Sequence, residues 1–305
     1  MSRYNRLDLK NGTTLTESHF RHIEDGLVDI ADGLVDIEND LVDTETRLSN
    51  FDKTVHSIAH RGYSSAAPEN TLPAFVLAKK LGFNYVEADV AFTKDSMPVM
   101  IHDDTIDRTS NGSGTVGNLN YADLLKYDFG SWKDAKYAGT KIPTFTEFIL
   151  LCKNIGLHPY IEIKHNASYS KDQILQLVSI VKQCGMIGKI SWITYKYEYL
   201  GYIKEADETA RVGFLFGRSV DTAINDTLIN NIVALRTGKN EAFLPIKSSL
   251  VTNAGIQKCI AANIPIEVWT VDTANEMLAL NPYVSGVISN TLSYGSVLYE
   301  HGMKL

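Results

Sequence analysis

Apolar positions follow two different periods along this chain. Between residues 20 and 51 they fall at Phe20, Ile23, Leu27, Ile30, Leu34, Ile37, Leu41, Thr44, Leu48 and Phe51, three and four apart in unbroken alternation. That alternation is the heptad spacing of a coiled coil, which keeps one seam facing a partner helix. In this phase Leu27, Leu34, Leu41 and Leu48 occupy position a, while Ile23, Ile30 and Ile37 occupy d. Leu at a with Ile at d disfavours two strands and points to three or four. Val28, Val35 and Val42 at b widen the apolar face, and the pattern predicts a parallel homotrimer through residues 20–51. Gly26 and Gly33 each weaken an isolated helix by about 1 kcal/mol. A single amphipathic helix packed on the rest of the chain is therefore the alternative. A strict 3.5-residue period over four heptads is more than such a helix requires.

From residue 54 the period shortens. Eight β-rich runs, at 55–59, 85–90, 159–163, 190–194, 212–216, 242–245, 266–271 and 286–289, are mostly separated by helix-length spans such as 71–81, 171–182, 198–206, 253–262 and 274–280. Alternation of β and α on this scale predicts an α/β fold of the (β/α)8 TIM-barrel type. A doubly wound sheet is the runner-up, but no GxGxxG follows the first run. One run breaks the rule. Residues 98–102 also read as a strand, yet only seven residues separate them from Val90, too few for a parallel crossover. They predict an antiparallel hairpin turning at Asp95 and Ser96, which brings His102 back opposite Asp89. The Ser/Gly/Asn-rich stretch 105–120 then lies as a loop or small insertion over the barrel mouth. The expected organisation is a leader at 1–18, an α-helical coiled-coil stalk at 19–52 and a barrel domain at 53–305.

Charge sharpens this division. The net charge of −7 over 305 residues is concentrated in residues 1–51, which hold 11 acidic and 5 basic side chains. The barrel is thus nearly neutral and need not repel an anionic substrate. No basic run or aromatic-basic interleaving suggests nucleic acid. No apolar run reaches the roughly 18 residues of a membrane span. The start, MSRYNRLDLKNGTTL, lacks the apolar core of a secretory signal, so export by that route is not expected. Cys152, Cys184 and Cys259 are far apart and odd in number, which reads as apolar filling rather than disulfides or a metal site.

Barrel enzymes carry their chemistry at the C-terminal ends of strands. Three ends here are rich in ionisable groups: His60 and Arg61 after the first, Glu87 and Asp89 on the second, Glu162 and Lys164 on the third. Period-two alternation puts Glu87 and Asp89 on one face. With Glu162 they make an all-oxygen set suited to Ca²⁺ or Mg²⁺ rather than zinc. A cation there would polarise a phosphoryl oxygen, with Arg61 pairing another. His60 and His102 would act as general base and acid, and Lys164 would add positive charge toward the transition state. Taken singly, each is more often structural: Gly62 an ordinary turn, Asp103 and Asp104 loop polarity, Arg108 a surface pair, Trp269 core. Their convergence on adjacent strand ends favours the chemical reading.

The same residues carry a resemblance. His60-Arg61-Gly62, Pro68-Glu69-Asn70-Thr71, Glu87-x-Asp89-Val90-x-x-Thr93-x-Asp95 and Pro98-Val99-x-x-His102-Asp103 with Arg108-Thr109 resemble the glycerophosphodiester phosphodiesterase family, in its order and spacing. Ile142-Pro143-Thr144, Ile161-Glu162-Ile163-Lys164 and Val268-Trp269-Thr270-Val271 continue it. The resemblance implies a TIM barrel, a divalent cation and hydrolysis of a diester joining glycerol phosphate to an alcohol. It implies Glu87, Asp89 and Glu162 as metal ligands, His60 and His102 as the catalytic pair, Arg61 and Lys164 as phosphate-facing cations, and Trp269 as a wall against the glycerol. Two segments depart from the pattern. Ser289-Asn290-Thr291-Leu292 replaces a Thr-Asp-x-Pro-like segment, and Trp192-Ile193-Thr194-Tyr195 replaces a Ser-Phe ending. Both are expected to line the pocket away from the metal and to bear on leaving-group specificity.

Residues 11–27 resemble the leader of tail and baseplate proteins from phages of Gram-positive bacteria, where it precedes a short trimeric coil. Together these readings predict a virion-associated depolymerase of teichoic acid, docked to other tail proteins through residues 1–18. The rivals are a cytoplasmic hydrolase of small diesters such as glycerophosphocholine and a non-catalytic cell-wall adhesin.

Overall fold

The computed structural model describes residues 55–165, 168–236, 242–280, 283–293 and 296–297. The leader and the heptad segment, with the trimer predicted from it, lie outside the described residues.

Nine strands form one sheet: β1 (His56–His60), β2 (Tyr85–Phe92), β3 (Pro98–Met100), β4 (His158–Ile163), β5 (Ser191–Thr194), β6 (Arg211–Phe214), β7 (Ala242–Lys247), β8 (Ile266–Trp269) and β9 (Val284–Ser289). Their order is β1-β9-β8-β7-β6-β5-β4-β2-β3, and β1 also pairs with β2, so eight parallel strands close into a barrel. Eight helices accompany them among the described residues: α1 (Leu72–Lys80), the short α2 (Tyr121–Leu124), α3 (Phe145–Ile155), α4 (Lys171–Gln183), α5 (Tyr197–Ala206), α6 (Asp226–Ala234), α7 (Asn253–Ala261) and α8 (Ala274–Leu278). The predicted barrel is therefore present, with strand ends displaced by up to two residues. α3 and α6 fall outside the five helical spans named from the pattern. Both have N-cap side chains that satisfy free backbone N–H groups: Thr144 with Glu147 as a reciprocal capping box, and Asn225.

Each barrel strand is buried on both faces, which is why it reads as a nearly continuous apolar run. The outward residues pack against the helices, with Trp192 fully buried there. Ile58, Tyr160, Ile193, Leu215, Phe243 and Ile288 fill the interior. Gly213 is what lets Phe243 lie there, since a Cβ at 213 would stand 2.7 Å from its ring. Cys152, Cys184 and Cys259 are buried and free, as filling residues. Among the described residues no helix is long and apolar enough to cross a membrane.

β3 is antiparallel to β2, as the short connection required. Ser96 turns the hairpin at φ 58°. The register is one residue off the predicted one: Ile101 N–H bonds Asp89 C=O, and His102 follows it. The segment from 101 to 144 does more than cover the mouth. Ala91, Val99, Ile101, Ile106, Val116, Leu124, Phe129 and Ile142 form a second apolar core, on which the His102 end of the hairpin rests.

Candidate active site

Parallel pairing puts partners on one face of the sheet, and two pairs build the site. His60 pairs with Glu87, and Asp89 pairs with Glu162. Glu87, Asp89 and Glu162 then bring ligand oxygens within 4.8 Å of one another. A cavity of about 250 Å³ opens above them, lined by His60, Arg61, Glu87, His102, Glu162, Lys164 and Trp269 among others. Seven of the eight predicted site residues line one space. The eighth, Asp89, lies beneath it, 1% exposed and held by Lys164 Nζ at 3.2 Å and Asn70 Nδ2 at 2.8 Å.

The loop after β1 is shaped to present Arg61. Arg61 and Gly62 both adopt left-handed backbone, φ 57° and 78°, and a Cβ at Gly62 would lie 2.7 Å from the Ala74 backbone on α1. This aims the Arg61 N–H at Glu87 Oε2, 3.0 Å away. The guanidinium pairs with Glu69 at 2.8 Å and approaches Asp89 at 3.4 Å. Lys164 Nζ bonds Glu162 Oε1 at 2.8 Å. Both predicted phosphate-facing cations are thus also tied to carboxylates.

The electrostatics of the acidic group are unequal. Burial, then the charges of Asp89 and Glu162, push Glu87 well above the usual carboxylate range. Burial also opposes ionisation of Asp89, but Lys164 and Arg61 outweigh it and hold its carboxyl far below that range. The protein neutralises one carboxylate and leaves another in excess. Three converging oxygens of this kind, with no nitrogen or sulfur donor in the cluster among the described residues, fit a hard divalent cation such as Ca²⁺ or Mg²⁺.

The two histidines have different supports. His60 Nδ1 lies 2.7 Å from Asn290 Oδ1, whose amide is oriented by Nδ2 donating to Asp272 at 2.6 Å. The oxygen therefore faces the ring, so Nδ1 carries the proton and Nε2 holds a lone pair toward Glu87, 3.9 Å away. Burial and Arg61 lower the His60 pKa to about 4. His102 Nδ1 instead donates to Asp103 at 2.6 Å. Arg108 holds Asp103 down to about pKa 2, and itself bonds Glu69 at 2.7 and 2.8 Å. An unbroken chain runs from His102 through Asp103, Arg108 and Glu69 to Arg61.

Several of these supports went unread in the sequence. Glu69 and Asn70 stand within the quoted blocks without roles, and Asp103 and Arg108 do more than provide loop polarity and a surface pair. Asp272 was not singled out. The 289–292 segment is a correction: Asn290 does not stand away from the metal site but fixes His60, because closure of β9 on β1 brings residues 230 apart together. In the other departing segment, Ile193 and Tyr195 line the cavity as expected, whereas Trp192 faces the helices and Thr194 bonds the Ile163 carbonyl.

A closed β/α barrel with buried carboxylates, facing histidines and cations at its strand ends is the layout of an enzyme acting on phosphate esters. The profile of the glycerophosphoryl diester phosphodiesterase family matches residues 60–293, and the chain belongs to that family of phosphoric diester hydrolases. YhdW of Bacillus subtilis, named as a candidate glycerophosphodiester phosphodiesterase, is 46% identical over 115 residues, spanning 37% of this chain and under half, 46%, of that protein. The glycerophosphodiester phosphodiesterase of Caldanaerobacter subterraneus is 28% identical across 76% of this chain and 93% of its own length. An Oleispira antarctica phosphodiesterase, solved with its product sn-glycerol-3-phosphate, superposes with a TM-score of 0.71 at 27% identity, covering 81% of this chain and 96% of that one.

Proposed function

We propose that this phosphodiesterase requires a divalent cation and shortens a glycerol-phosphate polymer of the teichoic acid type. The observation that carries the catalytic part is the set of three clustered carboxylates and two differently supported histidines at and just beneath one cavity. Glu87, Asp89 and Glu162 hold the cation, which when bound supplies charge to a phosphoryl oxygen. Arg61 and Lys164 orient the remaining phosphate oxygens. His60 Nε2 takes a proton from the attacking hydroxyl, either water or the free hydroxyl of the glycerol itself. A new P–O bond forms as the bond to the leaving alcohol breaks, and His102 delivers a proton to that alcohol. The neutral amide behind His60 suits a ring that starts neutral and accepts a proton, and the carboxylate behind His102 suits a ring that starts protonated and gives its proton up. Trp269 forms the wall beside the glycerol.

The polymer, and a virion tail as its setting, rest on the heptad segment and the leader. A stalk carrying three sites would raise avidity for a repeating chain. Purified polyglycerol-phosphate teichoic acid incubated with the full chain is expected to shorten in calcium or magnesium and to stay intact in chelator. An unshortened polymer, with folding verified, would remove the proposal. The product seen in the Oleispira enzyme favours small glycerophosphodiesters as the second reading. Relative rates on the polymer and on glycerophosphocholine separate the two.

A further inference from the structure

Beyond the carboxylates, the mouth is asymmetric in charge. On the β1–β3 side each cation is already engaged: Arg61 and Arg108 with Glu69, and Arg108 with Asp103. The β5–β7 side differs. Lys247 ends β7 in register with Trp269, so it lies on the barrel's inner face beside an indole that lines the cavity. Its position is tightly set. A Cβ at Gly217 would stand 2.7 Å from Lys247 Cβ and 2.6 Å from the Trp269 ring, so glycine there lets the lysine stem and the indole pack together. Lys247 is exposed, and among the described residues no carboxylate pairs with it or with Lys196.

Two more positive groups share this flank. The Arg218 guanidinium sits 5.7 Å over the Tyr195 ring, tied to Asp221 at 3.2 Å. Lys196 follows Tyr195 directly. It lies within electrostatic reach of His165, whose protonated form is disfavoured by burial, favoured by Glu162, and disfavoured again by Lys164, Arg218 and Lys196. The acidic groups on this side are Asp221, already engaged, and Glu198 in the first turn of α5. Two polar atoms in the cavity wall also lack partners: the buried His165 Nδ1 and the buried Trp269 Nε1. Buried polar atoms of this kind are normally satisfied, so a site that leaves two bare is suited to a polar ligand.

We infer that this flank is a second phosphate subsite: Lys247, with Lys196 and Arg218, receives the next phosphate of the leaving group, and His165 and Trp269 bond the intervening glycerol. The inference rests on the polymer reading and sharpens it, because a single diester has no second phosphate to offer. A leaving group with a quaternary ammonium would meet like charge here.

Two defined substrates test the subsite: glycerophosphoglycerol, and the same molecule phosphorylated on its leaving glycerol. The readout is the ratio of kcat/KM between them for the full chain. Wild type is expected to prefer the phosphorylated substrate, and the preference should fall with added salt because the cations are solvent-facing. Lys247→Gln should cut the ratio roughly fivefold through KM, and Lys196→Gln with Lys247→Gln should cut it further. Lys247→Arg should retain it. A wild-type ratio near one, or an unchanged ratio in a double variant with wild-type melting, overturns the subsite. Wild type that shows the preference yet leaves purified polymer intact overturns the polymer reading alone. Turnover of neither substrate overturns both.

Discussion

Two glutamates are buried inside this barrel, one at each end, and the protein treats them oppositely. Glu267, 0% exposed at the floor, meets Arg211 at 2.9 Å and the Tyr160 hydroxyl at 2.9 Å. Burial opposes its ionisation, but Arg211 prevails, helped by His56 3.8 Å away, and its carboxyl stays below the usual range. Arg211 also bonds Ser191 and lies 3.8 Å over the Phe243 ring. Glu87, 2% exposed at the mouth, has two carboxylates for neighbours and is pushed the other way. The floor is closed in charge and contributes to the fold. The mouth is left open in charge, awaiting something from outside. A buried carboxylate is thus read by its neighbours rather than by its burial.

Isosteric substitutions break this comparison most sharply. Glu87→Gln should lower kcat/KM by about a thousandfold while leaving the melting temperature equal or higher, since it removes like-charge repulsion. Glu267→Gln should do the reverse. It strands the buried Arg211 at a cost of about 3 kcal/mol, visible in denaturant melts, with kcat little changed below the transition. Equal loss of stability in both variants would erase the distinction.

A smaller effect concerns acid. Burial and Arg211 lower the pKa of His158, beside the floor cluster, to about 4. The unfolded chain takes up that proton near pH 6.5, so between pH 6.5 and 4 it binds more protons than the folded one. Stability from this residue is therefore complete above pH 6.5 and falls as pH drops toward 4, by about 3 kcal/mol. His158→Gln should flatten that part of the pH–stability curve relative to wild type. The smallest expected change is at the mouth. Asn290→Ala should lower kcat about tenfold with little change in KM, because His60 loses its orientation while substrate contacts persist.

What the sequence disclosed about this site followed from periodicity. Alternation alone placed Glu87 and Asp89 on one face, and a connection too short for a crossover returned His102 to them. The residues missed are those whose role is a contact between distant segments. Nothing near Asn290 announces that β9 will close against β1 and deliver its amide to His60. Glu69 and Arg108 are 39 residues apart and meet only because the hairpin folds back over the first loop. α3 was more accessible, since Thr144 and Glu147 spell out its capping box.

The path from His102 to Arg61 runs along the β1–β3 side of the mouth and does not use Glu87, Asp89 or Glu162 as bridges. The His102 end of the hairpin is thereby tied to the loop after β1 by guanidinium and carboxylate partners. Under the proposed cation requirement, exchanging one divalent ion for another should change the rate more than the alignment of His102 with the loop after β1.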